Sequence, residues 1–198
     1  MGRLPSQLWQ IYVVPAEGGN PQRLVSDDEN EGEPDWEPNG SVLVFSQFPA
    51  LEAATNLTIH RLDLRTHQIS ILPGSEGLYS AHWSPDGRYI VASTVGDSRL
   101  MAFELATHKW TTLTRRGGWI LGWSRQDGQV CFENSGIVYR ARVPGGHLEQ
   151  VASLKGIQRG TGILGFMSWA GLAPDDSILL MRETSSEEIY ALSLERPQ

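Results

Sequence analysis

The sequence has a single cysteine, Cys131, so no intrachain disulfide can form within its 198 residues. Cys131 stands in the apolar-leaning stretch Gln129–Phe132, and no histidine is close to it in the sequence. A reactive cysteine needs a neighbour that lowers its pKa, so a buried strand residue is the favoured interpretation. Because disulfides mark oxidising compartments, this cysteine content leaves the compartment open.

Long hydrophobic runs are also missing. Residues Met1–Gln7 have no apolar core of the kind that a signal peptide carries. The longest charge-free apolar stretch, Gly160–Pro174, is rich in glycine and too short to span a bilayer. The sequence therefore predicts a soluble protein without membrane insertion, and it leaves both a cytoplasmic and a periplasmic location open.

Basic residues are scarce relative to acidic ones. The chain has 16 Lys and Arg against 23 Asp and Glu, a formal net charge of −7, and its densest basic segment is the pair Arg115–Arg116. Nucleic-acid binding requires a basic face that neutralises phosphates, so a nucleic-acid partner is not expected. The acidic balance mainly keeps the protein soluble.

Tryptophan is abundant, with seven residues, and three of them mark an internal repeat. Trp36, Trp83 and Trp123 each precede a turn rich in Pro, Asp, Asn and Gly, and an apolar strand pattern follows each turn. A fourth copy without Trp is weaker. The copies contain the turn segments 34–40, 81–87, 122–128 and 171–176. Their spacing of about 40–50 residues is the length of a propeller blade with four short strands.

The turn residues predict tight hairpin connections. Pro fixes φ at the second turn position, Asp or Asn suits the third, and Gly takes the position with positive φ. The third copy has an extra residue before Gly128 and lacks the proline, so a longer loop is expected there. No window combines a helical period with capping residues, so low helix content is expected.

These patterns predict an all-β fold, a β-propeller or partial propeller of about four to five four-stranded blades in a single domain, 1–198. Segments 10–19 and 188–195 both look like third strands of a blade, so the chain opens on strands three and four of one blade and closes after strand three of another. This organisation gives 17 strands. The blade repeats are expected near 8–27, 31–75, 78–115, 118–155 and 164–195.

The repeat resembles that of TolB-like, WD-repeat-like propellers. The resemblance rests on WSPDG before an apolar strand and on IYVVPAEGGNPQRLVS ahead of EGEPDWEPNG, and it extends from Leu8 to Leu194. The closing stretch APDDSILLMRETSSEEIYALSLE resembles the C-terminal end of larger bacterial proteins that join a winged-helix domain to such a propeller. The resemblance implies the carboxy-terminal part of such a propeller or a short relative of it.

Propellers of this type usually have six or more blades, which leaves ring closure open for a chain with about four. An open sheet edge invites pairing with another chain. Self-association is therefore favoured over a closed monomer, with a homo-oligomer that completes one ring or pairs blade edges.

The repeated tryptophans are the first candidates for a binding role. Packing between neighbouring blades is the favoured interpretation of Trp36, Trp83 and Trp123, and stacking on a ligand at the channel mouth is the alternative. The five histidines show no metal-binding spacing. His82, directly before Trp83, is the histidine most expected to line an axial channel.

The acidic run between residues 27 and 37 is the densest charge cluster. It comprises Asp27, Asp28, Glu29, Glu31, Glu33, Asp35 and Glu37. A solvated connecting loop is favoured over a Ca²⁺ site, because the D-x-D-x-D-G spacing is missing. An acidic rim that binds a partner is the second functional interpretation, and it makes Asp27, Asp28 and Glu31 candidate binding residues. No resident cofactor or metal is expected.

The function predicted from these features is a non-catalytic binding or scaffold propeller for protein or ligand partners. The alternative is a small hydrolase or lyase with its site at the channel mouth. A hydrolase of the α/β type needs a G-x-S-x-G elbow, and the nearest string, Gly165–Gly171, has the wrong spacing. The fold alone does not separate these alternatives, because propellers include both enzymes and scaffolds.

Overall fold

The computed structural model describes residues 9–25, 30–47, 57–96, 98–125, 128–160 and 169–184. These residues form strands and turns without a helix. None of them belongs to an apolar helix that could cross a membrane. The strands are β1 Tyr12–Val13, β2 Gln22–Arg23, β3 Glu31–Trp36, β4 Val42–Gln47, β5 Ile59–Asp63, β6 Gln68–Ile71, β7 Leu78–Trp83, β8 Tyr89–Thr94, β9 Leu100–Glu104, β10 Lys109–Thr114, β11 Trp119–Trp123, β12 Gln129–Asn134, β13 Ile137–Arg142, β14 Leu148–Ser153, β15 Ala170–Leu172 and β16 Ile178–Leu180.

The strands form five antiparallel sheets in chain order. The first sheet pairs β1 with β2, and the fifth pairs β15 with β16. The second, third and fourth sheets contain β3–β6, β7–β10 and β11–β14, and each strand pairs with its neighbours in sequence. The strand predicted in 188–195 lies outside the described residues, which contain sixteen strands against the 17 expected for the whole chain.

The sheets stack face to face, so the second strand of each complete sheet is buried on both sides. In β8, Tyr89 and Val91 belong to the core shared with the fourth sheet, whereas Ile90 and Ala92 belong to the core shared with the second sheet. Burial on both faces calls for a nearly continuous apolar run, which is what these strands contain. The core is therefore a series of layers between sheets. Cys131 lies in one of these layers and is 7% exposed.

The connections after the tryptophans follow the predicted turn chemistry. Segments 37–41, 84–88 and 124–128 each join the first two strands of a sheet. The glycines at their ends, Gly40, Gly87 and Gly128, have φ of 74°, 68° and 65°. In the fourth copy Asp176 takes this role with φ of 65°, a conformation that Asp tolerates better than most residues.

The prediction of a longer loop in the third copy is wrong. The Ser124 N–H donates to the Gln129 carbonyl at 2.8 Å, just as the Ser84 N–H donates to the Tyr89 carbonyl at 2.8 Å. Both turns are therefore closed over the same number of residues. The third copy has one residue more between its Trp and Gly128, but one residue fewer between that glycine and the following strand.

The first strands of the sheets approach one another, while the fourth strands lie apart. Strand β7 packs against β3 and β4, and β11 packs against β15. The fourth strand of the second sheet, β6, is exposed along its whole length. We call β3, β7, β11 and β15 the inner strands, because the sheets converge on this side.

Candidate functional site

Two neighbouring inner strands carry the same β-bulge. The register of β3 shifts between Gly32 and Asp35, and the register of β7 shifts between Tyr79 and His82. At the equivalent positions inside the bulges, Glu33 and Ser80 have φ of 53° and 55°. This left-handed conformation is uncommon for residues other than glycine, and it concentrates at functional sites.

The bulges place five polar side chains of β3 and β7 close together, and we call this group the inner-strand cluster. It comprises Glu33, Asp35, Tyr79, Ser80 and His82. The Ser80 hydroxyl lies close enough to the Glu33 carboxylate to favour its ionised form. The Ser80 Oγ also lies 3.4 Å from the His82 Nε2, which is a long hydrogen bond. The cluster therefore joins a carboxylate, a hydroxyl and an imidazole across two sheets.

Backbone hydrogen bonds hold the cluster in place. The Ser80 N–H donates to the Ser46 Oγ at 2.9 Å, so β4 of the second sheet supports the bulge in β7. The Asp35 Oδ2 accepts a hydrogen bond from the Trp83 N–H at 2.7 Å. Both bonds run between the second and third sheets, so the two bulges keep a defined position relative to each other.

Burial shifts the pKa values of three groups in the cluster. Burial raises the pKa of Glu33 above its ordinary value, and the hydrogen bond from Ser80 opposes this shift. Burial also raises the pKa of Tyr79, and the nearby Glu33 charge adds to that rise. Burial lowers the pKa of His82, which the Asp35 charge partly offsets. Perturbed groups of this kind are typical of binding and catalytic sites and also of structural ion networks.

A groove of about 350 Å³ opens beside Glu33 on the side of the first sheet, and we call it the aromatic groove. Two exposed rings, Trp9 and Tyr12, stand on one wall and are 52% and 55% exposed. The opposite wall is the first half of β3. The full lining is Trp9, Gln10, Ile11, Tyr12, Glu31, Gly32, Glu33 and Pro34. Glu33 thus belongs both to the groove and to the inner-strand cluster.

Solved structures with the same arrangement of sheets are propellers. TolB from Acinetobacter baumannii aligns with 90% of this chain over 44% of its own chain, with a TM-score of 0.64 and 17% identity. Oligogalacturonate lyase in complex with manganese aligns with 86% of this chain over 50% of its own, with a TM-score of 0.60 and 15% identity. A chain of the nidogen/laminin complex aligns with 75% of this chain over 60% of its own, with a TM-score of 0.57 and 13% identity.

The fold is that of a TolB-like β-propeller. The predicted all-β partial propeller is thereby confirmed. The chain spans less than two thirds of the length of each of these propellers. No protein-family model matches the sequence, and no curated protein matches it either.

Two of the three repeated tryptophans lie between neighbouring blades of the propeller. Trp83 is 5% exposed in the core between the second and third sheets. Trp123 is partly buried against the core between the third and fourth sheets, and its Nε1 donates to the His82 carbonyl at 3.3 Å. Trp36 differs, because 46% of its surface is exposed.

Residues of the acidic run, of which Asp27, Asp28 and Glu31 were the candidates, separate into three groups. Glu31 is 2% exposed and lies in the wall of the aromatic groove. Glu33 and Asp35 belong to the inner-strand cluster. Asp27 and Asp28 lie outside the described residues, so their candidate binding role stays a prediction.

Sequence reasoning singled out His82 but missed the residues around it. Ser80, Tyr79 and the groove rings Trp9 and Tyr12 were not candidates. On β3, acidic residues stand at every second position, as Glu31, Glu33 and Asp35, whereas the equivalent strand of the next blade starts with the apolar Leu78. This difference could have indicated a functional inner strand.

Proposed function

We propose that this propeller is a non-catalytic binding module, and that a protein partner binds on its inner-strand side where β3 meets β7. The observation that carries the proposal is the pair of left-handed, polar bulges at Glu33 and Ser80. A β-bulge in a purely structural strand is usually occupied by residues that lose little by it, such as glycine. Here the two positions carry a carboxylate and a hydroxyl.

The electrostatics of the cluster support a binding role. Keeping Glu33 in a partly desolvated position costs stability when it is ionised, because burial raises its pKa. A polar or cationic partner group would compensate this cost on binding. Residues that lower stability in the free protein are often retained for function.

Neighbouring folds are compatible with binding and with catalysis. The nidogen/laminin structure is that of a protein complex, whereas the oligogalacturonate lyase is an enzyme. At the identities involved, these likenesses establish the fold alone. The choice between the two functions therefore depends on the geometry of the cluster.

A hydrolase is the second candidate, because Ser80, His82 and Asp35 stand next to one another. The geometry at Ser80 favours binding instead. The Ser80 hydroxyl interacts with Glu33 and lies 3.4 Å from His82 Nε2, a long contact whose donor depends on the histidine tautomer. A serine activated by a general base is expected to hydrogen-bond that base at about 2.6–3.2 Å.

Site-specific photo-crosslinking tests the proposed function. A benzophenone amino acid at Tyr79, on the inner strand, is expected to crosslink a discrete partner in extracts of the source cells. The same group at Ile71, on the outer strand β6 and 54% exposed, is the matched control and is expected to give no such product. Equal products from both positions would contradict a binding surface on the inner-strand side.

A serine-reactive fluorophosphonate probe tests the alternative. We expect no labelling of Ser80. Labelling that disappears in the S80A variant would show an activated serine and would favour the hydrolase.

A further inference from the structure

Two hydrogen bonds of the Trp9 main chain tie the two walls of the aromatic groove together. The Glu31 N–H donates to the Trp9 carbonyl at 2.9 Å. The Trp9 N–H donates to the Asn30 Oδ1 at 2.9 Å. Trp9 and Glu31 therefore hold the same relative position before a ligand arrives, and a preorganised site loses less entropy on binding.

The lining of the groove combines apolar rings with negative charge. Trp9 and Tyr12 expose about half of their surface, and the Tyr12 hydroxyl donates to Gln10 Oε1 at 3.3 Å. Glu33 is the partly exposed carboxylate of the lining, whereas Glu31, two residues earlier on β3, is 2% exposed. Aromatic faces attract cations, and carboxylates bind them directly.

An arginine side chain fits this combination better than other ligands do. Its aliphatic stem can cover the apolar part of the groove, and its planar guanidinium stacks on aromatic rings while it binds a carboxylate with two parallel hydrogen bonds. A lysine ammonium makes the charge contact without the planar stacking. An acidic or neutral polar group would face Glu33 without bringing a compensating charge.

The charge around the groove points the same way. The described part of the acidic run carries Glu31, Glu33, Asp35 and Glu37 on or next to β3, and the whole chain has a net charge of −7. A basic partner would therefore be attracted before contact as well as after it.

We propose that the aromatic groove binds an arginine side chain presented by an extended segment of a protein partner. The proposal rests on the protein-binding function proposed above, and it adds the chemical identity of the group that is recognised. Trp9 and Tyr12 bind the side chain through their ring faces, and Glu33 binds the guanidinium.

Peptide titration followed by NMR tests the proposal. The probe is a short peptide of glycine and serine with one central arginine, and its control is the same peptide with citrulline, a neutral residue of nearly the same shape. The Trp9 indole signal is assigned by its loss in the W9F variant. We expect the arginine peptide to shift this signal and the citrulline peptide to leave it unchanged.

Two variants place the effect at the groove. E33Q is expected to weaken binding of the arginine peptide about tenfold or more, the effect of losing one charged contact. E37Q is the matched control, because Glu37 is on the same acidic segment but binds the Ser41 hydroxyl outside the groove. Equal shifts from the citrulline peptide, or equal weakening by E33Q and E37Q, would overturn the proposal. The W9L variant leaves both carboxylates in place and is expected to weaken binding of the arginine peptide, measured by the shift of the Tyr12 ring signals.

Two further outcomes separate this proposal from its alternatives. If sedimentation shows a dimer that E33Q dissociates, a second copy of the chain fills the groove and the proposal is overturned. If the benzophenone at Tyr79 crosslinks a partner but the arginine peptide leaves the Trp9 indole signal unchanged, the arginine proposal fails while the proposed binding function stands. Failure of both experiments would contradict both the arginine proposal and the proposed binding function.

Discussion

The same Trp-turn-strand unit has different surroundings at two junctions of this propeller. At the junction of the second and third sheets, Trp83 is 5% exposed in a continuous core. At the equivalent position one blade earlier, Trp36 is 46% exposed, and the first sheet beside it contains two strands within the described residues. The local sequence is alike, so the neighbouring sheet determines whether the ring fills a core or faces solvent.

The two bulges extend this comparison to polar residues. Ser80 sits inside the complete junction, is 3% exposed and is held by Ser46. Glu33 has the same backbone conformation at the equivalent place, but it borders the open aromatic groove. We infer that the complete junction mainly supplies stability, and that the junction beside the aromatic groove, which we call the open junction, mainly supplies recognition. Four predictions test this division.

The largest effect is expected from Trp83. W83A removes a large buried ring between two complete sheets, so the free energy of unfolding should fall by about 3–5 kcal/mol. W36A is the matched variant, and its half-exposed ring should contribute about 1 kcal/mol or less. Urea unfolding followed by circular dichroism gives both values. Similar losses for the two variants would contradict the difference between the junctions.

A smaller effect is expected from Ser46, which supports the bulge at Ser80. S46A leaves the buried Ser80 N–H without its acceptor at 2.9 Å, a loss of about 1–3 kcal/mol. S70A, on the exposed outer strand β6, is the control and should stay within about 0.5 kcal/mol of wild type. If S46A behaves like S70A, the bulge in β7 does not depend on the second sheet.

These two junctions also show how far the sequence alone could lead. The turn glycines and the apolar second strands follow from local chemistry, so the blades were predictable from residues close together in the chain. The contact between Glu33 and Ser80 was not, because it joins bulges on different sheets. The groove depends in the same way on Trp9 meeting Glu31. A bulge changes which residue faces the neighbouring sheet, and the alternation of apolar and polar residues along a strand does not indicate where it occurs.

His82 is expected to make the complete junction sensitive to acid. Burial lowers its pKa in the folded protein below the ordinary value of 6.5, so the unfolded chain binds the proton more readily. The stability that depends on neutral His82 is complete above pH 6.5 and is lost as the pH falls from 6.5 through the lowered pKa. Unfolding at a series of pH values should show this decline in wild type and a weaker one in H82Q. H108Q, in an exposed turn, should keep the wild-type decline.

The smallest change in stability is expected from E33Q at the open junction. Unlike W83A and S46A, this variant is expected to gain stability. Burial raises the pKa of Glu33 above its ordinary value of 4.5, so the folded protein holds this proton more tightly than the unfolded chain does. Wild type should therefore lose stability relative to E33Q as the pH rises from 4.5 through the raised pKa. The glutamine carbonyl can still accept the Ser80 hydrogen bond, so at neutral pH E33Q should be more stable by about 0.5–1 kcal/mol.

This gain matters because E33Q is also expected to weaken binding of the arginine peptide. A variant that becomes more stable while it binds less tightly identifies a carboxylate retained for recognition, since a structural carboxylate would lose stability when neutralised. Parallel unfolding and titration of wild type and E33Q separate the two cases. A loss of stability in E33Q at neutral pH would place Glu33 with Ser46 and Trp83 among the residues that hold the blades together, and the open junction would then differ from the complete one only in its exposure.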